Sequence, residues 1–118
     1  MSARKTGDEI GGDDLVAKRC VPCEGGVRPL AEAEIVRLMA RVGEWRRKGP
    51  AIQREFRFKD FHETMAFVNA VAGVANRENH HPDLEVGYNR CLVRFSTHAI
   101  GGLSENDFIA AAKVDALT

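Results

Sequence analysis

Three of the four histidines of this chain fall in its last third: His80 and His81 side by side, then His98. Imidazole titrates near ~6.5, so histidine is the side chain that can give or take a proton close to neutrality. His80 and His81 stand in the connection between a helical and an extended segment, with Pro82 stiffening the backbone just beyond them. His98 closes a strongly alternating run, and by alternation it lies on the side of Arg94 and Ser96. A strand end beside the glycines Gly101 and Gly102 is a place where a rigid scaffold can present a side chain to a ligand. The ordinary alternative for each histidine alone is a surface or capping role. A metal site is a further alternative, since imidazole suits zinc or iron. Adjacent histidines on extended backbone point to opposite faces, however, which sets His80 and His81 against sharing one ion.

Two other groups carry latent chemistry. Asp107 could orient a histidine, and it could equally complete a capping box with Ser104 three residues earlier. Cys20 and Cys23 form a CxxC pair, the spacing of half a zinc site or of a redox couple. The only other thiol, Cys91, belongs to a strand face expected to be buried. A four-ligand zinc site would need histidines or a second subunit.

The elements that must position these residues follow from periodicity. Ile35, Leu38, Met39 and Val42 share one face of a helix starting near Leu30, with Trp45 at its end. Ile52 to Phe58 alternates as a half-buried strand, and a short extra strand near Arg46–Gly49 is compatible with the pattern. Asp60 and Glu63 open a second helix with a predicted inner face of Phe61, Met65, Val68, Val71, Ala72 and Ala75. That helix should stop near Asn79, because Pro82 disfavours helical angles before it. Leu84–Asn89 and Cys91–Thr97 read as strands, the latter with Cys91, Val93 and Phe95 on one face. Ser104 caps a final helix with an inner stripe of Phe108, Ile109, Ala112 and Ala116. The order predicts an α+β fold, an antiparallel sheet with segregated helices.

Composition bounds the class of protein. The chain has 118 residues, one domain's worth, with 44% hydrophobic residues. Seventeen basic residues balance seventeen acidic ones, so there is no global electrostatic case for nucleic acid or an anionic membrane. No apolar run approaches the ~18 residues that span a bilayer, and Met1 to Asp14 lack the apolar core of a secretory signal. An odd number of thiols points to a reducing compartment and a cytoplasmic location. Residues 1–26 read as a flexible tail carrying the CxxC pair, and 27–118 as the folded domain. A chain beginning near Val27 is therefore expected to keep its chemistry.

The spaced set Asn79-His80-His81-Pro82, Tyr88, His98 and Asp107 resembles the pattern of the pterin-4a-carbinolamine dehydratases. Ser96-Thr97-His98, Gly101-Gly102-Leu103-Ser104 and Phe56-Arg57-Phe58-Lys59-Asp60-Phe61 fit the same pattern, and the resemblance runs from Leu30 to about Leu117. It implies a four-stranded antiparallel sheet with helices packed on one face, assembled as a homodimer or homotetramer. It implies loss of water from a 4a-hydroxytetrahydropterin to give the quinonoid dihydropterin in tetrahydrobiopterin recycling, with no cofactor and no metal. His80 and His98 would be the acid–base pair, with His80 donating to the leaving oxygen and Asp107 orienting a histidine. His81 would bind and orient the pterin. Asn76, Pro82, Tyr88, Ser96 and Thr97 complete the expected substrate contacts, with Tyr88 equally able to serve as a packing residue.

The resemblance also carries a different class of function. Some members pair with transcription factors, and some dehydratase-like proteins assist Rubisco assembly through a disrupted pocket. One departure bears on the choice. Many members have an ionisable residue one helical turn before the first histidine, and this chain has Asn76 there. If helical geometry persists, Asn76 lies under His80 and cannot hold a charge beside it. Glu78, two positions further round the helix, is expected to point elsewhere.

Overall fold

Alternation decides the sheet, and the sheet decides where everything else sits. The computed structural model describes residues 12–22 and 28–118. Strands β1 (Arg46–Lys48), β2 (Ala51–Arg57), β3 (Asp83–Val86) and β4 (Arg90–Phe95) form one antiparallel sheet in the order β1-β2-β4-β3. The register sets Ile52 opposite Phe95, Arg54 opposite Val93 and Phe56 opposite Cys91. These residues line the inner face, where Ile52, Cys91, Val93 and Phe95 are wholly buried. The outer face is polar, with Arg94 donating to Gln53 and pairing with Glu85. The fold is α+β, as the order of elements predicts.

Among the described residues four helices accompany the sheet: α1 (Gly12–Ala17), α2 (Glu32–Met39), α3 (Phe61–Glu78) and α4 (Glu105–Asp115). Trp45 stands between Phe56 and Phe95 and donates its indole N–H to Asp115 at the end of α4. Arg54, the one charged side chain of the inner β2 face, reaches the same carboxylate and lies over the Phe56 ring. Among the described residues no helix is long and apolar enough to cross a membrane.

The inner face of α3 differs from its expected stripe. Thr64, Phe67, Val71, Val74, Ala75 and Glu78 are buried, while Phe61 is exposed. The Asp60 cap, which accepts the Glu63 N–H, sets a phase that leaves Phe61, His62 and Glu63 outside the core. Phe67 then packs on Phe56 and Phe58, and Phe61 stacks instead on Tyr88 at the surface.

The reading of residues 1–26 as a tail is corrected for the part described here. Leu15 in α1 is 1% exposed and belongs to the main core. Helix α1 packs on α4, where Lys18 pairs with Glu105 and Lys113 donates to the Val16 carbonyl. The physical reason is that α4 buries more than one stripe: Asn106 through Ala112 and Val114 are all buried. The side expected to face solvent is an alanine-rich surface, and Leu15 needs only that small patch to leave water. Residues 1–11 and 23–27, including Cys23, lie outside the described residues.

Leu15→Ala should therefore cost about 2–5 kcal/mol of unfolding free energy, the range for truncating a buried leucine. Chemical denaturation of the full chain measures it. A change within about 0.5 kcal/mol, the range of surface substitutions, would detach α1 from the core.

Candidate active site

The site begins where α3 ends. Asn79 terminates the helix in the left-handed region at φ 53°, the only non-glycine residue with positive φ among those described. Asparagine tolerates that region better than most side chains. The next backbone N–H, of His80, turns back onto the Ala75 carbonyl. This break takes His80 and His81 off the helical repeat, so the spacing rule that set Asn76 under His80 does not hold. Asn76 Oδ1 lies 3.2 Å from His81 Nε2 instead. Asn76 is coupled to the second histidine, not the first.

His80 turns inward to α4. Its Nε2 is 2.7 Å from Asp107 Oδ1, and its ring stacks on Phe95 at the end of β4. Asp107 has no exposed surface. Its other oxygen accepts from the Thr97 hydroxyl and from the Ser104 backbone N–H, each at 2.9 Å. The Thr97 hydroxyl is 2.8 Å from the Ser104 hydroxyl. Since Thr97 has one hydrogen and gives it to Asp107, Ser104 is the donor in that pair. A carboxylate so furnished with donors accepts from Nε2 of His80 and holds the Nε2–H tautomer. Asp107 thus takes the N-cap N–H of α4 with one oxygen and contacts His80 with the other.

His98 opens the short 3-10 turn His98–Ile100, closed by Gly101 at φ 70°. A bridge between Thr97 and Gly102 fixes the base of this turn. A Cβ at Gly102 would come within 3.0 Å of the Pro29 ring, a tight approach that glycine relieves. His98 is exposed, and with His80, His81, Ser96 and Thr97 it lines a cavity of about 370 Å³. That volume falls within the range of small-molecule sites. Pro82 and Tyr88 do not line it; Tyr88 is 66% exposed and spends its ring on Phe61.

One wall of the cavity comes from Cys20, Val21 and Pro22, in the segment read as a dispensable tail. Glu78, expected to point elsewhere, lines the cavity and accepts the Cys20 N–H at 2.8 Å. Asn106 accepts the Val21 N–H and donates to the Val21 carbonyl. Burial opposes ionisation of Glu78, but the Cys20 N–H, Lys113 and Arg19 outweigh it and hold the carboxyl below its ordinary value. Burial, and then Glu78 itself, push the Cys20 thiol up to about 12. Cys20 is thus a neutral thiol at physiological pH, unsuited to nucleophilic chemistry. Among the described residues no group of three His, Cys, Asp or Glu side chains converges as metal ligands would. The sequence signal for this wall was Asn106 beside Asp107, a polar residue on an otherwise apolar helix.

Comparison with known proteins gives a consistent set. The family described as pterin 4 alpha carbinolamine dehydratase matches residues 28–117. The chain is similar to a protein of Nitrosospira multiformis provisionally named a pterin-4-alpha-carbinolamine dehydratase, 58% identical over 105 residues, 89% of this chain and 93% of that one. A Stenotrophomonas maltophilia protein of the same provisional name is 56% identical, covering 88% of this chain and 91% of its own length. Among solved structures, a transcriptional coactivator/pterin dehydratase from Brucella melitensis superposes with a TM-score of 0.73 at 33% identity, covering 76% of this chain and 98% of that one. A pterin dehydratase-like protein described as a RuBisCO assembly factor in the alpha-carboxysome gives a TM-score of 0.52 at 26% identity, covering 62% and 84%.

Glu78 generates a pH dependence with a definite sign. Its folded carboxyl titrates below the ordinary 4.5, so the folded state binds fewer protons than the unfolded chain in that region. The stabilisation is complete above the ordinary value and is lost as pH falls through the folded one. Glu78→Gln should flatten the acid limb of stability against pH below about pH 5, measured by denaturant midpoints at a series of pH values. Superimposable acid limbs in the two proteins would remove Glu78 from this role.

Proposed function

Since the chain belongs to the pterin 4 alpha carbinolamine dehydratase family, we propose that it removes water from a 4a-hydroxytetrahydropterin by acid–base catalysis through His80 and His98. The observation that carries this reading is the 2.7 Å contact between His80 and buried Asp107, at a cavity that His98 also lines. In its imidazolium form His80, oriented by Asp107 through Nε2, donates the proton of Nδ1 to the 4a-oxygen as the C4a–O bond breaks. His98 accepts a proton from a ring nitrogen, whose lone pair becomes the new π bond. The hydroxyl and the donated proton leave as water, and the quinonoid dihydropterin remains. The two histidines return to their starting states by exchange with solvent. His81, held by Asn76, orients the ring, with Ser96 and Thr97 beside it. This chemistry needs no redox partner, and proton transfer by positioned groups supplies typically ~10²–10⁴-fold. We assign the product to tetrahydrobiopterin recycling, and the physiological setting to the cytoplasm.

The solved relatives motivate a second reading, a binding protein on the same scaffold, because one is described as a coactivator and another as an assembly factor. The intact His80–Asp107 pair favours the enzyme. Purified full-length protein, treated with a chelator, should accelerate dehydration of 4a-hydroxytetrahydrobiopterin. His98→Ala should lose at least about 10-fold, and His80→Ala about 10²-fold or more. Loss of all activity on chelation, restored by zinc, would overturn the metal-free mechanism. An inactive protein would favour the binding reading.

We also propose a homo-oligomer. Strands β1 and β3 are the open edges of the sheet, and Val86, Tyr88 and Phe61 are exposed apolar groups on or beside the β3 edge. Unpaired edges invite continuation of a sheet across a symmetry axis. Light scattering at micromolar concentration should return a dimer or tetramer mass; a monomer mass contradicts the assembly.

A further inference from the structure

We propose that Val21 and Pro22 form an apolar wall that touches the bound pterin, and that Asn106 and Glu78 are positioning residues for that wall. The inference rests on the function proposed above and extends it to a segment ahead of the family region, which begins at residue 28.

Residues 18–22 have no regular secondary structure, yet their backbone is pinned at three points. Asn106, 5% exposed, clasps Val21 from both sides as a neighbouring strand would, with distances of 3.0 Å from the Val21 N–H nitrogen and 2.5 Å to its carbonyl. Glu78, 9% exposed, takes the Cys20 N–H. Burying an amide and a carboxylate is costly unless their partners are held in place. Here that cost is spent on immobilising an otherwise irregular strap.

The immobilised strap presents its side chains outward. Val21 is 64% exposed and Pro22 is exposed as well, and both face the cavity that contains His80, His81 and His98. An exposed valine on a fixed backbone presents an apolar surface at little cost in ordering when a ligand arrives. The same cavity is lined elsewhere by the polar Ser96, Thr97 and His98. A reduced pterin has the same division, with apolar ring faces and polar edges. Contact of this kind is made equally to substrate and to transition state, so it sets KM and leaves kcat alone.

The test is steady-state kinetics of the full chain with 4a-hydroxytetrahydrobiopterin. Val21→Asp should raise KM about 10-fold or more with kcat within about 3-fold, and Val21→Leu should restore a KM near that of the native protein. Val21 is a surface side chain, so neither change endangers the fold. Asn106→Ala should raise KM likewise and accelerate tryptic cleavage after Arg19 as the strap is released. A KM unchanged in Val21→Asp, or a loss confined to kcat, overturns the wall. If the native protein shows no turnover, the proposed function fails separately. Calorimetric titration with 7,8-dihydrobiopterin then reads the wall: weaker binding to Val21→Asp than to the native chain supports it, while equal binding, or none to either protein, overturns it.

Discussion

A carboxylate with no access to water needs a full set of donors, and the architecture around the cavity follows from meeting that need for Asp107. Its partners come from three separate places: Thr97 after β4, the Ser104 N–H at the start of α4, and His80 beyond α3. Removing any one would leave an under-solvated charge, a penalty of several kcal/mol in mutational experience. The carboxylate therefore fixes the relative positions of a strand end, a helix start and a loop. The same bonds that hold these pieces together set the tautomer of the histidine between them.

Other features serve that junction. The inner face of β4 ends in Phe95, which supports the flat side of the His80 ring. The left-handed residue Asn79 ends α3 abruptly enough for His80 and His81 to diverge, one toward Asp107 and the other toward Asn76. The turn at His98 is anchored by the Thr97–Gly102 bridge, and Thr97 is also a donor to Asp107. Positioning of the three histidines thus depends on a few backbone decisions rather than on long-range packing alone.

Much of this was legible in the residues. The alternation of Cys91, Val93 and Phe95 placed β4 and its buried face correctly, because period two admits one solution when one face is wet. Asp60, Pro82 and Ser104 marked helix ends through local chemistry that needs no tertiary knowledge. The failures share a cause. Phe61 lies in an apolar stripe that usually marks a core, and only the neighbouring Tyr88 gives it a partner at the surface. Asn76 was set under His80 by a rule that a single left-handed residue cancels. Leu15 and Val16 are too short an apolar run to announce a helix, and their burial depends on the face of α4 that they cover. Glu78 was misplaced because its partner is a backbone N–H distant in sequence, which no periodicity encodes.

Helix α4 carries a constraint on how this chain can vary. Ala110, Ala111 and Ala112 are all buried, in a helix that contacts β4, α3 and α1. A helix enclosed on several sides has no free margin: each added methylene must displace the sheet, a neighbouring helix or the N-terminal segment. Small side chains here act as a spacer of fixed thickness, and α1 and the strap beyond it are held at that distance from the sheet. Drift in the size of these alanines would be transmitted to the cavity wall without touching a residue that lines it. The tolerance of the site to sequence change is thus governed in part by a stretch of side chains with no chemistry of their own.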